Sequence, residues 1–194
     1  MVIGIDISQL AYENTGVANF LSNLVENLLK EDKINQYVLF YSSLRKQFSP
    51  PAGEFNFQSN PNVKIQRFKI PPVILDILWN RLHIMPIENF IGKVDVFITS
   101  DWTEPPAKHA KKVTILYDLI VYKYPEETHN KTEFNPFKML ISPNIVSSQK
   151  RKLKWVKKES DMIFCISKAT KKDAREILGI EKQRLSVAYP GMND

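Results

Sequence analysis

Short runs of β-type residues alternate with helix-period stretches along nearly the whole chain, and this alternation is the tightest constraint on what it can fold into. Val2 to Asp6, Gln36 to Tyr41, Val94 to Thr99, Val113 to Leu116, Met162 to Ile166 and Leu185 to Tyr189 are short and mostly apolar, and Val63 to Phe68 alternates. Strands without a polar face belong inside a sheet covered on both sides. The stretch VANFLSNLVENLLK sets Val17, Phe20, Leu21, Leu24, Val25, Leu28 and Leu29 at helical spacing, with Thr15 or Gly16 where an N-cap belongs. A strand, a crossover helix and a second strand predict parallel pairing. The fold class expected is therefore α/β, with a parallel, doubly wound sheet.

The remaining segments are read from their punctuation. Residues 7–16 are expected to be a polar loop, and residues 43–61 a loop marked by Pro50, Pro51, Gly53 and Pro61. Pro71 and Pro72 open an amphipathic segment whose apolar side is Ile74, Leu75, Leu78, Leu82 and Met85, closed by Pro86. Residues 101–111 are expected to form an exposed loop, and residues 122–132 to be irregular. Helical segments follow to about Glu159, interrupted near Ser142 and Pro143. Ser167 is a fitting N-cap for KATKKDAREIL, and Gly179 a fitting residue after its end.

Several function classes are excluded. The single cysteine, Cys165, leaves no disulfide framework and no multi-cysteine zinc site, and its place in an apolar strand predicts an inert core thiol. His83, His109 and His129 share no metal-ligand spacing. No 18-residue apolar run spans a membrane, and the N-terminus lacks the basic start and cleavage site of a secretory signal, so a cytoplasmic protein is expected. No G-x-G-x-x-G, P-loop or G-x-S-x-G motif occurs.

In open α/β sheets, ligands bind outside the carboxyl ends of the strands. The loops that emerge there carry the candidate residues. Gly16 just before a helix lets a phosphate approach backbone N–H groups, or it is a plain N-cap turn. A helix N-terminus gives an anion at most about 2 kcal/mol, whereas millimolar affinity needs about 4 kcal/mol. Such a loop is at most half of a diphosphate site. Asp118, after Tyr117, accepts a substrate hydroxyl, orients a loop, or caps the following turn. Asp6 reads as a loop anchor. Asp101, Trp102 and Glu104 join an aromatic to two carboxylates, which suits a sugar, although a lone Trp is commonly just packed.

The net charge is +6, and the excess concentrates in QKRKLKWVKKES. On a helix, Lys150, Arg151, Lys154, Lys157 and Lys158 share one face, with Leu153 and Val156 opposite. That face is either solvated or rests on anionic lipid. Nucleic acid ranks last, because Trp155 is the only interleaved aromatic.

Taken in order, GIDISQLAYENTGVANFLSNLVENLL, VDVFITSDWTEPP, KKVTILYDLIVYKYPE and SDMIFCISKATKKDAREILGIEKQRLSVAYPGMND resemble the N-terminal domain of family 4 glycosyltransferases with the GT-B fold. The resemblance implies a Rossmann-like three-layer domain over residues 1–189 on the acceptor side, with residues 190–194 beginning an interdomain linker. It implies retaining sugar transfer from a nucleotide-sugar to an acceptor glycan or glycolipid, in cell-surface polysaccharide or glycolipid synthesis, without a metal or other cofactor. Thr15, Gly16 and Val17 would lie near the donor diphosphate. Asp101, Trp102, Glu104 and Ser167 would face the acceptor, and Tyr117 and Asp118 the reacting centre.

Tyr117 stands where the family usually has His, and a phenol with a pKa of about 10 does not titrate as imidazole does. The family's E-x7-E glutamate pair and its basic phosphate-binding partners occur nowhere in the sequence. The expectation is an isolated lobe, inactive alone, whose donor-binding domain is a separate part. The competing expectation is a non-catalytic domain that associates with anionic membrane through the basic helix, at the inner face.

Overall fold

The computed structural model describes residues 1–47, 60–128 and 145–191. Seven parallel strands form one sheet: β1 (Val2–Asp6), β2 (Gln36–Ser42), β3 (Val63–Phe68), β4 (Val96–Thr99), β5 (Lys111–Leu116), β6 (Met162–Cys165) and β7 (Leu185–Val187). Their order is β3-β2-β1-β4-β5-β6-β7. The chain winds outward from β1 to β3, then crosses back to β4 and winds the other way. The sheet is thus doubly wound, as the apolar strand runs predict, and the order reverses between β1 and β4.

Helices cover the sheet in layers. On one face α1 (Gly16–Glu31) buries Ala18, Leu21, Val25 and Leu29, and its apolar stripe packs on Ile5, Tyr37, Leu39 and Ile115. On the other, α2 (Pro72–Leu75), a π-helical turn (Asp76–Arg81) and α3 (Glu88–Ile91) pack on Val38, Phe40 and Phe97. The same face carries α5 (Ile145–Glu159) and α6 (Lys168–Glu176), which bury Leu153, Val156 and Ala174 against Leu116, Ile163 and Cys165. The short α4 (Ile120–Lys123) follows β5. β2 is buried on both faces, but Phe164 of β6 is exposed on the α1 side, which α1 does not reach.

The capping expectations hold. The Thr15 hydroxyl accepts from the Ala18 amide, and the Ser167 hydroxyl from the Thr170 amide. Gly179 closes α6 with a φ of 63°, a left-handed position that glycine takes without penalty.

Three expectations are corrected. The segment after Pro72 does not present Ile74, Leu75, Leu78, Leu82 and Met85 as one buried side. Its π-helical turn widens the period, so Leu75, Asp76, Trp79 and Asn80 face inward while Ile74, Leu82 and Met85 are exposed. The loop 101–111 is not exposed throughout, since Thr103, Glu104 and Pro105 are buried. Residues 7–16 are not simply a polar loop: a 3-10 turn at Ser8–Ala11 buries Gln9 and Ala11, and Ile7 is buried before it. Pro50, Pro51, Gly53, His129, Ser142 and Pro143 lie outside the described residues. Among the described residues, no helix is long and apolar enough to cross a membrane.

Candidate functional site

All seven strands run the same way, so the loops after β1, β4, β5 and β6 emerge at one edge. That edge, at the β1/β4 reversal, is where an α/β sheet opens a crevice. It gathers Thr15, Gly16 and Val17, then Ser100, Asp101 and Trp102, then Tyr117 and Asp118, then Ser167.

The first wall is the start of α1. Asn14 takes a left-handed φ of 64° and turns the chain into the cap. Thr15 Oγ1 accepts from the Ala18 amide at 3.2 Å and donates to the Tyr12 carbonyl at 2.9 Å. A Cβ added at Gly16 would meet nothing within 4 Å, so the approach to the first turn is open. Val17 is half-buried and packs beneath it.

The second wall is the β4 loop. Gln149 Nε2 donates to the Asp101 carbonyl at 3.1 Å, and Asn80 Nδ2 to the Trp102 carbonyl at 3.0 Å. The Trp102 ring faces the half-exposed Tyr12 ring, with centroids 6.4 Å apart and planes at 33°. Burial pushes the Asp101 carboxyl up, and the Asp118 charge adds to this, against the opposing Lys152 ammonium. Asp6, at the end of β1, is likewise raised by burial, although it accepts from the Ser8 amide at 2.9 Å.

Tyr117 and Asp118 are brought to this edge, but both are engaged. The Tyr117 hydroxyl shares a hydrogen bond with Ser100 Oγ at 3.1 Å, and burial raises its pKa further above the ordinary phenol range. Asp118 Oδ1 accepts from the Ile120 amide at 3.0 Å, which is the turn-capping role among its readings. Ser167 caps α6, and Thr170 Oγ1 ties that helix to the Tyr117 carbonyl at 3.0 Å.

Glu104 is not with them. Its side chain turns under the sheet's edge, where Lys112 Nζ lies 2.9 Å away and Thr99 Oγ1 donates to it at 2.7 Å. A carboxylate held this way serves the loop rather than a ligand. Sequence reasoning also missed Lys152. Its ammonium is buried, donates to the Ser100 carbonyl and faces Asp101, Glu104 and Asp6; burial lowers its pKa against those three charges. The signal was available: Lys152 stands beside Leu153 and one turn before Val156, on the side of α5 that faces the sheet. Arg151, expected on the exposed basic face, instead reaches Asp76 at 3.2 Å.

This edge therefore combines the Asp101 carboxyl, held toward its neutral form, an aromatic pair and a helix N-terminus, over the buried side chains of Asp6, Ser100 and Tyr117. What it leaves accessible is the Tyr12–Trp102 pair on one side and the open first turn of α1 on the other. Among the described residues, no group of three or more His, Cys, Asp or Glu could hold a metal ion. A scan against protein-family models gives no match for the chain, and a search of curated proteins gives none.

Proposed function

We propose that the chain is the acceptor-side lobe of a retaining, nucleotide-sugar-dependent glycosyltransferase of the GT-B type, acting in cell-surface polysaccharide or glycolipid synthesis. One observation carries the reading. The strand order reverses at β1/β4, and the open helix start at Gly16 shares that edge with Asp101, Trp102 and Tyr117. The ordered resemblance of four segments to family 4 supports it independently. The donor half of the site is assigned to a second lobe, because one helix N-terminus gives an anion at most about 2 kcal/mol, and no E-x7-E pair occurs in the sequence.

Calorimetry of residues 1–194 with UDP- and GDP-sugars tests the division. Affinity weaker than millimolar and no transfer by the chain alone are expected, with transfer to a glycan or glycolipid acceptor appearing when a donor-binding lobe is supplied. Micromolar donor binding, or turnover without that lobe, overturns the reading.

A second reading, a non-catalytic binding domain, is favoured by the engagement of both residues proposed for chemistry: Tyr117 by Ser100 and Asp118 by the Ile120 amide. It predicts acceptor binding with no transfer under any combination of lobes.

A further inference from the structure

The turn after the π-helix exposes Leu82, Ile84 and Met85 to 58%, 47% and 42% of their surface. Three large aliphatic side chains within four residues exceed the scattered exposure normal for a soluble surface. The turn is not loose. The Leu82 amide donates to the Ile77 carbonyl and the Ile84 amide to the Leu78 carbonyl, each at 2.9 Å. His83 and Met85 take left-handed φ values of 54° and 60°.

His83 alone points inward. Its ring stacks on Trp155 with centroids 3.6 Å apart, and its nitrogens lie 2.8 Å from the Trp79 carbonyl and 2.9 Å from Glu159. This anchor holds its two neighbours, Leu82 and Ile84, outward. The opposing element contributes cations. Lys154 and Lys158 of α5 are exposed, with Nζ atoms 5.9 Å and 4.9 Å from the Trp155 ring centroid. The aliphatic turn and the two ammonium groups thus adjoin the same indole.

We propose that this surface docks on an anionic lipid bilayer, with Leu82, Ile84 and Met85 entering the acyl boundary and Lys154 and Lys158 meeting the headgroups. Aliphatic side chains beside lysines match that interface. The exposed chains have no ring to stack on a base, which nucleic acid would use. A second copy packed symmetrically on the same patch would set like charges against one another. The proposal differs from a plain basic face on α5: Arg151 and Lys152 are turned inward, and the apolar part comes from another element. It does not depend on the transferase reading. The helix runs from Gln149 at the Asp101 carbonyl to Glu159 at Lys112, so the patch lies toward the end of α5 away from the crevice.

Co-sedimentation of the chain with phosphatidylcholine vesicles, with and without phosphatidylserine, tests this without any sugar donor. Binding that requires phosphatidylserine and weakens with salt is expected. Lys154→Gln with Lys158→Gln lowers partitioning about 25-fold, about fivefold per lysine. Leu82→Ser with Ile84→Ser lowers it and abolishes what remains at high salt. All four side chains are exposed or half-exposed, so melting curves should match the parent, and the salt titration of the unaltered chain reads the effect without any variant. Absent binding, equal binding to neutral vesicles, or binding unchanged in both variants overturns the proposal. So does self-association that these variants abolish in the absence of vesicle binding.

Discussion

Lys112 Nζ lies 2.9 Å from Glu104 Oε1, and the two side chains are 4% and 0% exposed. Around them Thr99, Thr114, Ser160 and Glu159 complete a polar seam through hydrogen bonds of 2.7–3.1 Å. The seam divides the apolar packing on this face of the sheet, with Phe40, Trp79 and Phe97 on one side and Leu153, Val156 and Ile163 on the other. It also fixes the loop that carries Asp101 and Trp102, so fold stability and crevice geometry are linked there.

Removing one partner leaves the other charge buried and unpaired. Lys112→Met should therefore cost about 3–5 kcal/mol in urea unfolding. Lys112→Met combined with Glu104→Met should recover most of that, since replacing both charges with apolar groups of similar size is often near neutral. A single substitution costing under about 1 kcal/mol would show that water reaches the pair.

Gly4 sits in β1 opposite Val38 and Phe97. A Cβ there would lie 2.7 Å from Phe97 Cδ2 and 2.8 Å from Ile91 Cδ1. Gly4→Ala should destabilise by about 1–3 kcal/mol through overpacking. Phe97→Leu in that background should restore part of the loss, and a melting-temperature double-mutant cycle reads the coupling.

Glu88 Oε1 accepts from three successive amides, those of Lys108, His109 and Ala110, at 2.8, 2.8 and 3.2 Å. Burial alone would raise its carboxyl, but these bonds outweigh burial and hold it below the ordinary glutamate range. The folded state therefore binds this proton less tightly than the unfolded chain. The stabilisation is present above the unfolded pKa of about 4.3 and is lost as pH falls through the lower folded value. Glu88→Gln should cost about 1 kcal/mol at neutral pH after allowance for solvent screening. The gap between the two proteins in urea titrations should close toward pH 3.

Burial pushes the Cys165 thiol up to about 11, against the nearby Lys171 charge. Here the folded state holds the proton more tightly. Its contribution is present below the unfolded pKa of about 8.5 and fades as pH rises through about 11. Iodoacetamide at mildly alkaline pH should leave the native thiol unmodified and label it in urea, as mass spectrometry would show. Rapid labelling of the native protein would place Cys165 outside the core.

How much of this was legible follows from how local each signal is. The strands and α1 are set by residue-to-residue periodicity, so Val2–Asp6, Val63–Phe68 and the Thr15 and Ser167 caps could be read directly. The turn after Pro72 could not, because a π-helical register depends on Asp76 being held by Ser148, Asn80, Arg81 and Arg151, two of which lie far along the chain. The site shows the same division. Strand ends locate Asp101, Tyr117 and Asp118 at the crevice edge, but whether a carboxylate turns outward depends on partners in other elements, which periodicity does not identify. Glu104 turns inward because Lys112 and Thr99 meet it there, and Lys152 does so because the Ser100 carbonyl and three carboxyl groups surround it.

Gly16 separates a structural from a functional role most cleanly. A Cβ added there meets nothing within 4 Å, and its φ is not among the left-handed ones. Gly16→Ala should therefore leave the fold intact, and at a helix start alanine adds at most about 1 kcal/mol over glycine. If a donor diphosphate approaches the first-turn amides, the new methyl group occupies its path. In the proposed transferase, assembled with a donor-binding lobe, kcat/KM for the nucleotide-sugar should then fall at least tenfold, about 1.4 kcal/mol of transition-state binding, while the acceptor KM is unchanged. Thr15→Ala serves as the contrast, because it removes the bond to the Ala18 amide and should cost about 1 kcal/mol of stability without blocking that path. Full activity in Gly16→Ala would remove the helix start from the site, since no contact within the fold needs a glycine there.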